Sequence, residues 1–144
     1  MYDEKNLVYL LTILEAVEKI KIYTNEFDNA DDFLWSHQQL NFNGTVNLLI
    51  AIGEEAKKID DKLKGEFPEI KWKAISGMRN KLSHDYRGVD PNIVWKVVQD
   101  ELDELKTTLI KMFARIKYDK RVLENVLNTQ FYSHLSYLTV NDER

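Results

Sequence analysis

The sequence contains no cysteine, and this absence excludes several classes of protein. Without cysteine there is no disulfide scaffold, no zinc site with thiolate ligands, no iron–sulfur cluster and no cysteine nucleophile. A chain of 144 residues buries roughly 70% of its unfolded surface on folding, so it needs neither disulfides nor a structural metal to form a core. The composition therefore predicts one globular domain that a hydrophobic core holds together.

Long hydrophobic runs are also absent. The longest one extends from Leu7 to Leu14, is interrupted by Thr12, and is too short to span a bilayer. It lacks the basic flank and the small-residue cleavage site of a signal peptide. We therefore expect a cytoplasmic protein that does not associate with a membrane.

An excess of positive charge is the third missing feature. The chain has 20 Lys and Arg against 24 Asp and Glu, a formal net charge of -4. General attraction to nucleic acid needs net positive charge, so an RNA-binding role requires a local basic patch. Between residues 57 and 87, nine basic residues stand against five acidic ones, and this segment predicts such a patch.

Five glycines and two prolines leave few sites for tight turns, and the apolar residues recur at helical spacing almost throughout. Four main helices with short links predict an all-α bundle. The predicted helices run from a cap at Asp3 to about Asn25, from a capping box of Ser36 and Gln39 to about Gly65, from Trp72 to about Gly88, and from Asp90–Pro91 to Met112. A short helical piece at 31–35 and a fifth helix after Phe113 complete the expected set. Gly53 lies in the middle of the second main helix, which predicts close packing against a neighbouring element.

The third main helix carries the densest group of polar residues in the chain. On a helical wheel, Ser76, Asn80 and Ser83 form a polar strip, with Arg79 on one side and His84 on the other. An Arg fork can hold two phosphate oxygens, and a histidine can transfer a proton near neutral pH. This pattern fits a site for a phosphodiester, but an ion pair for the Arg and a helix cap for the His fit it too. His37 and His134 have no acid or nucleophile at a suggestive spacing.

The residues Arg79, His84 and Tyr86 form an R-x4-H-x-Y motif, and this motif resembles that of the HEPN superfamily, specifically the HepT toxins of HepT/MntA toxin–antitoxin systems. The resemblance extends over about residues 4 to 112 without large gaps. It includes the blocks I-G-E-x-A at 52–56, P-E-I-x-W at 68–72, G-M-R-N at 77–80 and H-D-Y-x-G-x-D at 84–90. We therefore expect a HepT-like domain at 1–112 and a C-terminal helical extension at 113–144.

The resemblance implies a HEPN-type bundle that dimerises through the motif helix and acts as a metal-independent endoribonuclease toxin without a cofactor. By this resemblance, His84 is the general acid or base and Arg79 binds the scissile phosphate. Asn80 and Ser83 support the site, and Glu54 is a weaker candidate that could pair with Arg79.

The resemblance also implies a partner, an MntA-like nucleotidyltransferase antitoxin that transfers AMP from ATP onto Tyr86. A bulky anionic group beside Arg79 would fill the cleft and neutralise the charge that binds phosphate.

Two alternatives to the ribonuclease remain open from the sequence. The first is a non-catalytic HEPN module that binds nucleotide or RNA and acts as the partner of a nucleotidyltransferase. The second is a plain helical bundle that uses this surface only to dimerise. Two departures from the family pattern also stand: the extension of about 30 residues, and Ser83 where a larger apolar residue is frequent.

Overall fold

The computed structural model describes residues 1–140, and in this part of the chain the regular structure is helical. The last four residues of the predicted extension, 141–144, lie outside the described residues. The α-helices are α1 (Lys5–Thr24), α2 (Ala30–Trp35), α3 (Leu40–Lys58), α4 (Asp61–Gly65), α5 (Trp72–Asp85), α6 (Pro91–Lys96), α7 (Leu102–Met112), α8 (Lys120–Leu127) and α9 (Tyr137–Val140). None of the described helices is both long and apolar enough to cross a membrane.

Helix α3 is the centre of the bundle because it packs against α1 on one side and α5 on the other. Helix α7 packs against α1, and the short α2 packs against α3 and α6. The α1 stripe that the sequence predicts is buried, and Leu7, Leu10 and Leu14 have no exposed surface. The all-α bundle is therefore confirmed, with its core between α1, α3 and α7.

The start of α6 matches the sequence prediction. The Asp90 carboxylate accepts a hydrogen bond from the Asn92 backbone N–H at 2.9 Å, and Pro91 occupies the first turn. Proline suits this position because its missing N–H would have no partner in the helix. The predicted fourth helix nevertheless contains an irregularity, since Val97–Glu101 forms a π-turn between α6 and α7.

The predicted capping box at Ser36 and Gln39 is wrong. Residues 37 to 39 all have positive φ angles, of 53°, 58° and 68°, and α3 begins only at Leu40, without a side-chain cap. Three successive left-handed residues therefore connect α2 to α3. The capping-box rule cannot predict such a turn, because it expects a single capping residue in the extended conformation before the helix.

Helix α3 also ends earlier than expected, at Lys58 rather than near Gly65. Asp60 begins a new helix there, because its carboxylate accepts a hydrogen bond from the Lys62 N–H at 2.9 Å. Ile59 and Leu63 are both buried as their apolar spacing predicted, but a break in the backbone separates them.

The C-terminal extension is not the single fifth helix that the sequence predicted. Asp119 caps the short α8, and α9 follows after a 3-10 turn at Ser133–Leu135. The pieces fold back on the bundle and bury Leu123, Leu127 and Leu135. The extension therefore packs on the bundle as several short elements.

Polar contacts hold the extension against α1 and α7. The Tyr137 hydroxyl donates to Glu18 at 3.4 Å, and the Lys106 ammonium pairs with the same carboxylate at 2.5 Å. Burial raises the pKa of the Tyr137 hydroxyl to about 12.

At the other end of the bundle, Tyr2 and Ile116 form an isolated parallel bridge. Hydrogen bonds from the Tyr2 hydroxyl and the Arg115 guanidinium lower the pKa of Glu66. These contacts attach the segment after α7 to the start of the chain.

Candidate active site on helix α5

Helix α5 carries the R-x4-H-x-Y motif and is the most exposed long helix of the bundle. Leu82 is its single buried residue, and Ile75 and Met78 are half-buried where the helix faces α3. Ser76, Asn80, Ser83 and His84 are exposed. The polar strip predicted from the wheel is therefore at the surface.

Gly53 brings α5 close to α3 at the position of Arg79. A Cβ atom on residue 53 would lie 2.7 Å from Arg79 Cγ, closer still to its Cβ, and 3.4 Å from the Ile75 carbonyl oxygen. The backbone of α3 thus forms the surface on which the Arg79 side chain rests. The close packing predicted for Gly53 is confirmed, and the neighbour is the motif arginine itself.

The guanidinium of Arg79 is held by two oxygen acceptors. Nη2 donates to Glu54 Oε1 at 3.1 Å, and Nη1 donates to Asn80 Oδ1 at 3.0 Å. The Arg79 Nε is buried and has no hydrogen-bond partner among residues 1–140. About a third of the side chain stays exposed, so the guanidinium is fixed in orientation and still reachable by an anion.

His84 lies five residues after Arg79 on the same helix. This spacing separates the two residues by about 140° around the helix axis and about 7.5 Å along it. The two side chains therefore stand on opposite edges of the polar strip and do not contact each other within one chain. A phosphodiester lying across the strip could reach both.

Tyr86 follows α5 in a 3-10 turn, Tyr86–Gly88, and its side chain is 37% exposed. The Asp85 carboxylate accepts a hydrogen bond from the Gly88 N–H at 3.0 Å, which fixes this turn. The Arg87 guanidinium lies 5.9 Å from the centre of the Tyr86 ring. The phenol is therefore accessible and has a cation beside it.

Glu54, the weaker candidate from the sequence, does pair with Arg79 in the structure. The contact to Asn80 specifies how that residue could support the site. Ser83 is exposed in the strip. Within the described residues, no group of three or more His, Asp or Glu side chains is close enough to hold a metal ion.

Comparison with known proteins assigns the family. The model of the ribonuclease HepT-like family matches residues 13–112, which contain the whole of α3 and α5. The chain belongs to this family. Membership makes it a HepT-like ribonuclease of the HEPN superfamily, as the motif predicted.

Individual relatives agree with the family match. A protein of Thermococcus cleftensis named as a probable ribonuclease HepT is 38% identical over 104 residues, which cover 72% of this chain and 92% of that protein. A putative RNase of Methanocaldococcus jannaschii is 32% identical over 109 residues, which cover 76% of this chain and 88% of the relative. No solved structure matches the chain.

Proposed function

We propose that this ribonuclease is the toxin of a toxin–antitoxin pair and that Arg79 and His84 form its active site. The fixed Arg79 guanidinium carries the proposal, because Gly53, Glu54 and Asn80 together position it at the edge of an exposed polar strip. A cation that is oriented before substrate binds stabilises charge that develops in the transition state.

The reaction that fits these groups is internal transfer of the phosphodiester. The RNA 2'-oxygen attacks the neighbouring phosphorus, and His84 removes the 2'-hydroxyl proton. The bond between phosphorus and the 5'-oxygen breaks, and that oxygen receives a proton from an imidazolium. The products are a 2',3'-cyclic phosphate and a 5'-hydroxyl. Arg79 neutralises the extra charge on the pentavalent phosphorane.

A second copy of the chain would supply the second imidazole. If two polar strips face each other across a two-fold axis, the cleft contains two His84 and two Arg79 side chains. One histidine then acts as the base and the other as the acid. The small side chains of Ser76, Gly77 and Ser83 favour such close approach of two α5 helices.

Substitution of the motif residues tests the active site. In the purified protein, His84→Ala and Arg79→Ala should each lower the rate of RNA cleavage at least about 100-fold, the lower limit for loss of a general acid or base and for loss of a donor that stabilises the transition state. Neither side chain is fully buried, so the far-ultraviolet circular dichroism of both variants should stay the same. The thermal midpoint of His84→Ala should stay the same too, whereas that of Arg79→Ala should fall by a few degrees because its contacts with α3 are lost. His134→Ala is the matched control, since this histidine is exposed on the C-terminal extension.

The cleavage products and the growth of the host complete this test. Induced wild-type protein should arrest growth and yield RNA fragments with 2',3'-cyclic phosphate ends. Cleavage at the wild-type rate by folded His84→Ala would exclude the assignment. If the wild type and the variants all bind RNA and none of them cleaves it, the non-catalytic module that the sequence left open is favoured.

We propose further that a nucleotidyltransferase partner inactivates the protein by modifying Tyr86. The phenolic oxygen attacks the α-phosphorus of ATP, pyrophosphate leaves, and the phenolic proton passes to a base of the partner. The new phosphodiester would place a negative charge near Arg79. Exposure of Tyr86 in a fixed turn directly after α5 supports this acceptor.

Intact mass after co-expression with an adjacently encoded nucleotidyltransferase tests the acceptor. Wild type should gain whole AMP units, Tyr86→Phe should gain none, and Tyr9→Phe should behave as wild type. Added AMP on Tyr86→Phe would assign the modification to another residue.

A further inference from the structure

A groove opens beside α5, on the edge of the helix away from the polar strip. Helix α5 packs mainly against α3, and a valley remains between α5 and the segment from α6 to α7. Leu49 and Ile52 of α3 form the floor of this valley. Ala74 and Met78 line one wall, and Ile93 and Val97 line the other. The volume is about 350 Å³.

The far wall of the groove has two unusual features. Ile93 is 51% exposed, although the neighbouring Val94 is fully buried. Val97 lies at the start of the π-turn Val97–Glu101, and π-turns within helices occur frequently at functional sites. Apolar surface of this wall is therefore exposed to water, whereas a regular and closely packed helix would bury it.

The charges at the rim are mostly negative. Glu69, Glu101 and Glu104 line the groove together with one cation, Lys71. These carboxylates disfavour RNA at this face and favour an occupant with positive charges. The groove therefore differs in charge from the motif segment, where basic residues are in excess.

The form of the groove favours a helix as the occupant. Two helical walls and a helical floor leave the position that one more bundle helix would take. The wall from Lys71, the residue before α5, to Met78 spans about 10 Å, or two helical turns. Within residues 1–140 there is no strand whose edge could pair with an extended peptide.

A second copy of this chain does not supply such a helix from its described residues. The exposed large apolar side chains of residues 1–140 are Met1, Val8, Ile22, Trp35, Leu40, Tyr86, Ile93 and Phe131. No two of them share a helix at a spacing of three or four residues, so they form no apolar stripe. The described residues therefore favour a different protein as the occupant.

We propose that this groove binds an amphipathic helix of a partner protein, with an apolar stripe for the floor and flanking Lys or Arg residues for the acidic rim. Such a partner contacts Met78, the residue before Arg79, yet leaves the polar strip on the opposite edge open. The groove is therefore a docking site beside the active site. The proposal does not depend on RNA cleavage, because it rests on apolar surface and rim charge alone.

Two synthetic peptides of 14 residues serve as probes. Both carry leucine at helical spacing, and one has lysine and the other glutamate at the flanking positions. Fluorescence anisotropy with the full chain should show that the lysine peptide binds at least about tenfold tighter than the glutamate peptide. Glu101→Lys with Glu104→Lys should abolish or reverse this preference.

Two further variants separate specific docking from general attraction of a cationic peptide. Asp31→Lys with Asp32→Lys makes the same change in net charge at exposed positions of α2, so the affinity should stay within about twofold. Ala74→Phe fills the groove from an exposed position of α5 and should lower the affinity at least about tenfold.

Two results would overturn the proposal. In the first, the lysine peptide binds Ala74→Phe as tightly as it binds wild type. In the second, neither peptide binds wild type. A change in the molecular mass of Ala74→Phe, measured by light scattering, would in that case assign the groove to a second copy of the chain.

Discussion

Helices α1 and α5 both pack against α3, but they bury very different shares of their residues. Ten of the twenty residues of α1 are buried, whereas Leu82 is the single buried residue among the fourteen of α5. The free energy of packing is therefore concentrated in α1, since burial of apolar surface is the main stabilising contribution to folding. Helix α5 instead presents its polar residues to solvent. Among the four helices longer than ten residues, the site lies on the one that buries the fewest residues.

The first prediction concerns α1, the more deeply buried of the two helices. Leu14 of α1 has no exposed surface, so Leu14→Ala should lower the free energy of unfolding by about 2 to 5 kcal/mol. Val8→Ala, on the same helix but 46% exposed, should change it by less than about 0.5 kcal/mol. Urea denaturation followed by circular dichroism measures both values. A loss below about 1 kcal/mol for Leu14→Ala would show that α1 is not the main stabilising helix.

The same contrast explains which parts of the fold the sequence predicted. Apolar periodicity located α1, because its buried residues recur at steps of three and four. The Asp90–Pro91 pair located the start of α6, because the capping carboxylate and the proline act locally. The left-handed turn at 37–39 and the π-turn at 97–101 were missed, because both depend on tertiary packing that the local pattern does not contain.

The candidate site was predictable to a similar extent. The wheel placed Ser76, Asn80 and His84 together, since their arrangement depends only on helix geometry. The sequence also suggested that Gly53 packs closely, but it could not identify Arg79 as the neighbour. The groove beside α5 was not predicted, because it results from a missing contact between two helices. Periodicity identifies apolar faces but does not tell which of them stays uncovered.

The second prediction concerns the contact that holds α5 in place. In Gly53→Ala the added Cβ overlaps atoms of Arg79 close to its backbone, so α5 must move away from α3. We expect a loss of about 1 to 3 kcal/mol in the free energy of unfolding, despite the higher helix propensity of alanine. RNA cleavage should fall as well, because the guanidinium moves with the helix.

Gly77→Ala is the matched control for this variant. Gly77 lies on the exposed face of α5, and a Cβ atom at this position would have no neighbour within 4 Å in the same chain. Alanine should therefore raise the free energy of unfolding by about 0.5 to 1 kcal/mol. Equal stabilisation by both substitutions would mean that α5 does not rest closely on α3. Urea denaturation of the two variants in parallel decides the matter.

The third prediction tests Glu54, which forms an ion pair between α3 and α5 through its contact with Arg79. Both side chains are partly exposed, at 51% and 34%, so Glu54→Ala should change the free energy of unfolding by less than about 1 kcal/mol. Loss of the acceptor frees the guanidinium to rotate, and kcat for RNA cleavage should fall about tenfold with little change in KM. Glu54→Gln should recover most of the rate, because its amide oxygen can still accept from Nη2.

Glu55→Ala separates this positioning role from a general effect of charge. Glu55 is the neighbouring residue, but it pairs with Lys58 on its own helix at 2.9 Å, so its loss should leave kcat unchanged. If Glu54→Ala instead lowers KM and leaves kcat unchanged, the carboxylate competes with the RNA phosphate for Arg79. In that case the ion pair restrains binding, and the arginine is oriented by Gly53 and Asn80 without help from Glu54.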